Sequence, residues 1–224
     1  MKTYDLSNEI EQRGVLVGML LGDGGRTYTN FCIGHSLKQK SYLLFKKDIL
    51  EKITGKPVHI CSVSHTKGEK TYHTMRIYPK QHPLIKELVK TFYCTGKKRV
   101  TKELLEMLTV QGLAIWYMDD GSCSAKRDIK GAFRGANINL STYISMEDNQ
   151  MIVDYFKKRW GINWYIGKGN RDDNYRLCMG TIEGRSFFNL ISDYILPSLS
   201  YKIKLPEARY VGYNNKLNPI LPSV

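Results

Sequence analysis

This chain lacks a long apolar run. Its longest, "VLVGMLLG" from Val15 to Gly22, falls far short of the ~20 residues a membrane-spanning helix needs. It also lacks the marks of a targeting peptide: "MKTYDLSNEIEQRG" is polar and carries acids, unlike a secretory signal or an Arg-rich transit peptide. The expectation is an intracellular protein working where it is made, with bacterial, phage and organellar origins all open. Its 5 cysteines (Cys32, Cys61, Cys94, Cys123, Cys178) contain no C-x-x-C, and its 5 histidines contain no H-E-x-x-H. That excludes the usual zinc spacings and points to free thiols in a reduced compartment. A metal bound here would rely mainly on oxygen ligands. Acidic residues are scarce relative to basic ones, 21 Asp and Glu against 34 Lys and Arg, for a net charge of +13. Such an excess suits a polyanion, and with no membrane segment nucleic acid is favoured. A basic enzyme with no polyanionic partner is the alternative.

What is present is written twice. At 224 residues, 42% hydrophobic, the chain is long enough for one or two domains with a real core. Asn8 and Glu11 form a capping box for a helix to about Leu21. A strand follows in "TYTNFCIG". "SYLLFKKDILEKITG" then reads as an amphipathic helix with Leu43, Leu44, Ile49, Leu50 and Ile53 inward and Gly55 as its stop. Strands "PVHICSVS" and "TYHTMRIY" flank the turn "HTKGEK", and the helix "HPLIKELVKTFY" leads to basic "TGKKR". The second half follows suit: helix "TVQGLAIWYM", strand "AFRGANINLST", and helix "SMEDNQMIVDYFKKRWG" with Met146, Ile152, Val153 and Phe156 inward. After it come strands "NWYIGKG" and "YRLCMG" around "NRDDN", helix "GRSFFNLISDYILP" and basic "SYKIKLP". The expected fold is α+β, two pseudo-symmetric αββαββα halves, residues 1–100 and 101–224, the second with a C-terminal tail. No Gly/Ser linker separates them, so they should pack as one body.

Each half's most apolar helix ends on an acid and a glycine, "GDGG" at Asp23 and "DDGS" at Asp120. Alone, either is an ordinary helix-ending turn. Recurrence at the same place in both halves argues for more. Gly14, Gly18 and Gly22 recur four apart and leave one helix face bare, so another backbone can approach. Gly112 and Ala114 offer a less complete match on the second helix. Side by side, the helices would bring Asp23 and Asp120 together, and two close carboxylates repel unless a cation intervenes. Oxygen ligands beside a polyanion suit Mg²⁺, which can stabilise both the attacking and leaving oxygens in phosphodiester hydrolysis.

"LVGMLLGDG" (Leu16 to Gly24) and "LAIWYMDDG" (Leu113 to Gly121) resemble the two copies of the LAGLIDADG motif, and the chain is similar over nearly its whole length to the two-motif monomeric LAGLIDADG homing endonucleases. The resemblance implies paired central helices, saddle-shaped antiparallel sheets, and metal binding at the eighth motif position, here Asp23 and Asp120. Gly22 of the first motif and Asp119, which matches it, are secondary members of the metal group. The resemblance also implies a basic residue late in each half near each scissile phosphate: Lys98 and Lys204 by position, with Lys97 and Lys202 as rivals. Many members carry Gln or Asn on the strand after the motif to order water; here the comparable positions are Ser36 and Ser141 or their neighbours, a departure.

The partner implied is double-stranded DNA, with Mg²⁺ as cofactor and Mn²⁺ as a substitute, the protein acting as a monomer. Strand alternation places Thr74, Arg76, Tyr78, Asn137, Asn139, Ser141 and Arg176 outward, where Arg can read guanine and Asn adenine. Arg26, Asn30, Ser36, Lys38, Lys40, Lys126, Arg127, Arg134, Lys168 and Arg171 complete the expected DNA contacts, the basic loops serving phosphates. Two other functions fit the same scaffold: an RNA maturase acting on an intron, and a catalytically silent DNA-binding regulator. Intact Asp23 and Asp120 weigh against the regulator, because paired carboxylates repel phosphate.

Overall fold

A computed structural model describes residues 1–169 and 175–205; Arg171, the rest of the "NRDDN" turn and the tail from 206 onward lie outside the described residues. In chain order the elements are α1 (Glu9–Leu21), β1 (Gly25–Thr27), β2 (Asn30–Ser36), α2 (Lys40–Thr54), β3 (His59–Lys67), β4 (Lys70–Tyr78) and α3 (Pro83–Phe92). There follow α4 (Lys102–Glu106), α5 (Val110–Asp120), β5 (Gly121–Arg127), β6 (Phe133–Ser141), α6 (Met146–Trp160), β7 (Tyr165–Lys168), β8 (Tyr175–Met179) and α7 (Thr181–Ile191), with short 3₁₀ turns at Leu37–Gln39, Ser192–Tyr194 and Pro197–Ile203. Each half is αββαββα, with the small helix α4 in the joint. The fold is the expected one.

The strands differ from expectation in extent. The single strand read after each motif is a hairpin, β1–β2 and β5–β6. Part of the expected basic loop "SAKRDIKGAFR" is therefore strand, since β5 runs to Arg127. Likewise β3 and β4 pair as far as Lys67 and Lys70, leaving Gly68 (φ 60°) and Glu69 as the turn. Charged residues on an exposed two-stranded arm carry no buried face to signal a strand, so composition read them as loop. The sheets are antiparallel, ordered β1-β2-β4-β3 and β5-β6-β8-β7, and in β2 and β6 alternate residues turn inward.

The centre of the molecule is the pair α1 and α5. Both are buried all round, from Gly14 to Leu21 and from Gln111 to Met118. A helix with no polar face belongs inside. Each is started by a side-chain cap: Asn8 accepts the Glu11 N–H at 3.0 Å, and Thr109 accepts that of Gly112 at 3.4 Å. The helices touch backbone to backbone. A Cβ at Gly18 would overlap the Gly112 carbonyl, one at Gly112 the Gly14 carbonyl, and one at Gly22 the Asp119 carboxylate. Thr109, Gly112 and Asp119 thus face the three glycines of α1; Ala114 is buried but takes no such place. On α6, Ile152 and Phe156 are in the core, whereas Met146, expected inward, is 48% exposed at the helix start. No helix among the described residues is long and apolar enough to cross a membrane.

Alanine is a better helix former than glycine by about 1 kcal/mol, so a loss on Gly18→Ala must come from the overlap. The variant is expected to lose about 1–3 kcal/mol or more to overpacking, read as a lowered urea midpoint; an unchanged midpoint would mean the backbones do not meet at Gly18.

Candidate active site at the ends of the central helices

The backbone contact brings the two helix ends together. Asp23 follows the Gly22 cap of α1, and Asp120 is the last residue of α5. Burial, and then the charge of Asp119, raises the Asp23 carboxyl to about 6. Burial, then Asp119 and Asp23, raises that of Asp120 to about 7. The expected repulsion is thus present.

Each helix end is held by one lysine. Lys98 Nζ donates to Leu21 O at 2.8 Å and Gly22 O at 3.1 Å. Lys202 Nζ donates to Met118 O at 2.6 Å and Asp119 O at 3.1 Å. Both sit where the free carbonyls of a helix C-terminus attract cations, and burial lowers both ammonium groups from their ordinary range, partly offset by the acids. Lys98 was expected here and Lys97 is exposed. In the second half it is Lys202 that matches Lys98, while the expected Lys204 is exposed, its carbonyl accepting from the Cys123 thiol at 3.7 Å. The segment leading into the basic exit winds as the 3₁₀ turn Pro197–Ile203, which sets which of two lysines faces inward. The Tyr117 hydroxyl pins it by donating to Lys202 O at 3.1 Å.

Asp119 is the larger surprise. Its side chain has no exposed surface. Oδ1 accepts from Lys46 Nζ at 2.5 Å and the Tyr42 hydroxyl at 2.6 Å, and Oδ2 from the Asp23 N–H at 3.0 Å. A residue of the second half is therefore bonded throughout to the first, in the room that Gly22 leaves. Lys46 is itself wholly buried. Its signal was in the sequence: it interrupts the inward stripe of α2 formed by Tyr42, Leu43, Ile49, Leu50 and Ile53. His35 was missed for Ser36. Phe31, Ile33 and His35 are the inward residues of β2, and Ser36 is exposed. The alternation of the strand could have found it.

The ligand atoms of Asp23, His35 and Asp119 lie within 4.8 Å of one another, an acidic group able to hold a metal ion. The donors are not equally free. A lysine ammonium only donates, so His35 Nε2, 3.1 Å from Lys46 Nζ, accepts. The ring hydrogen is then on Nδ1, 3.3 Å from Gln39 Oε1 and 3.6 Å from Asp23 Oδ2. Burial, then Lys46, lowers the imidazole to about 4, so it is neutral. His35 turns a hydrogen, not a lone pair, toward Asp23. Asp119 is committed to its three donors, and the Gly22 carbonyl to Lys98. Of this group the Asp23 carboxylate is the donor left free, and a carboxylate oxygen suits a hard divalent cation; Asp120 stands at the neighbouring helix end but is not among the grouped ligand atoms.

The expected DNA contacts divide. Arg26, Ser36, Lys38, Lys40, Arg76, Lys126, Arg127, Arg134 and Lys168 are exposed; Asn30, Thr74, Tyr78, Asn137, Asn139, Ser141 and Arg176 are half-buried. Several are bonded within the protein. Asn30 donates to Pro79 O at 2.7 Å and Thr74 to Val63 O at 3.1 Å. Arg134 pairs with Asp128 at 2.7 Å, and Arg127 donates to Gly131 O at 2.9 Å. Arg26 donates to Tyr28 O at 3.1 Å and lies 5.7 Å from the Tyr93 ring centre.

The raised carboxyls predict an unusual pH dependence. An unfolded Asp loses its proton near pH ~4, while the folded Asp23 and Asp120 keep theirs to about 6 and about 7. Over that window the native state binds more protons, so these two residues make stability fall as pH rises. Thermal unfolding in EDTA should give a lower melting temperature at pH 7.5 than at pH 5.5 for the native chain, and a smaller difference for Asp120→Asn. Equal differences would mean the Asp120 carboxyl is not raised in the folded state.

A model of the LAGLIDADG DNA endonuclease family matches residues 13–187. Among solved structures the chain is similar to the homing endonuclease I-WcaI bound to its DNA recognition sequence, with a TM-score of 0.72 and 22% identity over 91% of this chain and 88% of that one, a likeness of fold. It is 24% identical over 198 residues to probable intron-encoded endonuclease 1 of Wickerhamomyces canadensis, covering 86% of this chain and 83% of that protein. It is 27% identical over 214 residues, 90% of its length, to protein RecA of Mycolicibacterium chitae, of which it spans about half, 48%. With the family's pattern running from α1 into α7, the chain belongs to the LAGLIDADG DNA endonuclease family.

Proposed function

We propose that the chain is a site-specific endonuclease that hydrolyses both strands of a long, asymmetric DNA duplex, using Mg²⁺, with Mn²⁺ as a substitute, and acting as a monomer because one chain supplies both half-sites. The observation that carries this reading is the paired unit at the helix ends: on each side an acid with a raised carboxyl and a lysine anchored on the same helix terminus. A binding protein gains nothing from two carboxylates facing phosphate.

In this mechanism Asp23 and Asp120 would hold the divalent ions. Bound there, the metal would offset the carboxylate repulsion and stabilise the charge on the attacking and leaving oxygens. Lys98 and Lys202 keep their positions through two carbonyls each and offset the charge that builds on the phosphorus centre as it is attacked. Lys202 replaces Lys204 in this role on position alone. The outward faces of β2, β4, β6 and β8 would lie along successive major grooves, with Arg76, Asn137 and Asn139 toward base edges. Exposed Lys38, Lys40, Lys126 and Lys168 would meet phosphates, which position without specifying. The cut would fall across the minor groove between, leaving short 3′ overhangs.

The target is found by cleaving a random-sequence duplex library with Mg²⁺ and sequencing the ends. On that target, Asp23→Asn and Asp120→Asn should each abolish double-strand cleavage while specific binding stays within about threefold, since affinity rests on the phosphate contacts. Full cleavage by either variant would sink the nuclease assignment. Lys98→Met and Lys202→Met should each accumulate nicked duplex, with opposite strands intact, at nearly normal affinity. Lys204→Met should cut both strands as the native chain does. If Lys204→Met nicks and Lys202→Met does not, the cation of the second half has been misplaced.

A further inference from the structure

The halves are pseudo-symmetric in backbone, but only in the first do the buried polar side chains reach the site; in the second, Thr142, Asp148 and Asn149 are buried and bonded elsewhere. Counted back from the left-handed glycines that end α2 and α6, Gly55 and Gly161, the place of Lys46 is taken by Ile152, and both are fully buried. The place of Tyr42 is taken by Asp148, whose carboxylate turns away to Arg99 at 2.9 Å. In the strands, Gly25 pairs with Cys32 and Gly121 with Leu140. With Asp23 set on Asp120, that register puts Thr142 at the place of His35, and Thr142 donates to Asn149 at 2.7 Å. Nothing on α6 therefore reaches toward the second acid. Among the described residues no side chain hydrogen-bonds the Asp120 carboxylate.

We propose that Lys46, assisted by Tyr42, is a positioning residue chiefly for Asp23: through Asp119 it fixes the turn that carries the first acid, so the two DNA strands are cut unequally. The chain of contacts is continuous. Lys46 and Tyr42 hold Asp119 Oδ1, and Asp119 Oδ2 holds the Asp23 N–H at 3.0 Å. The Tyr42 hydroxyl has one hydrogen and two acceptors, Asp119 Oδ1 at 2.6 Å and Ile115 O at 3.1 Å; the charged, nearer one takes it. The Lys46 ammonium lies 4.4 Å from the Tyr42 ring centre, so the two donors also hold each other. Asp23 lies beyond the end of α1 and takes its place from the bond to Asp119, whereas Asp120 is the last residue of its own helix, whose end Lys202 also holds. A group already in place reacts faster than one that must be ordered. Lys46 touches no substrate in this account; it acts through Asp119.

The inference rests on the nuclease reading, and the experiment separates the two. Supercoiled plasmid carrying the target is cut with Mg²⁺, and first-strand and second-strand nicking rates are measured at saturating protein. The native chain should nick one strand first. Lys46→Met and Tyr42→Phe should slow that nick about tenfold, the size a sub-ångström misplacement can produce, and change the other nick little, at unchanged affinity. Ile152→Val is the control: at the matching place in the second half it should lower the melting temperature and leave the ratio of the two rates alone. If Lys46→Met does not fold, Tyr42→Phe, which keeps its volume, decides. Equal slowing of both nicks, or of neither, would overturn the proposal while Asp23→Asn remained inactive. Normal cleavage by Asp23→Asn would instead overturn the nuclease reading.

Discussion

The rest of the structure depends on the contact between Gly18 and Gly112, where two helix backbones meet with no side chain between them. Such an approach forgoes the usual apolar filling, so its strength comes from close backbone packing and from the apolar faces that surround it. Its consequence is positional. The helices run side by side from the Gly14–Thr109 contact to the Gly22–Asp119 contact, so their C-terminal ends arrive together, and the residues there are Asp23 and Asp120. The raised carboxyls at about 6 and about 7 follow from burial and from Asp119, which the same approach brings in.

A cluster of three acids is stable only with cations, and the protein supplies three lysines in two ways. Lys98 and Lys202 bond to helix carbonyls and neutralise by proximity. Lys46 is bonded directly to Asp119, wholly buried. Removing one partner of a buried pair leaves the other charge uncompensated, at a cost of about 3–5 kcal/mol. The network therefore ties the second half to the first beyond the apolar contact, and it does so at the functional site.

Much of this was legible in the residues. The helix caps, the inward stripes and the repeated acid–glycine ending fixed the element order, because each rests on local periodicity or local backbone chemistry. Asp23 and Asp120 were singled out by the repeated acid–glycine ending and Lys98 by the family resemblance, and all three lie at the helix ends. What was not legible depends on geometry that the pattern does not carry. Lys202 and Lys204 are two apart, and only the tightness of a 3₁₀ turn decides between them. Lys46 is the wrong type for an inward position until Asp119, far along the chain, is known to be opposite. The hairpin arms at Lys70 and Arg127 have no buried face, so their charge hid their strand character. Met146 lies on the inward stripe of α6 by count, yet as the first residue of the helix it is left 48% exposed.

The space left by Gly22 and filled by Asp119 has a consequence for descent and for engineering. Were the two halves true duplicates, either could be replaced by its twin, or joined to a half from another protein. Here a half bearing Lys46 needs a companion that carries an acid just before its last helical residue, and a half bearing Asp119 needs a companion with glycine at the matching point. The two have become a lock-and-key couple, and hybrids assembled without regard to that match would join an orphaned lysine to an orphaned vacancy.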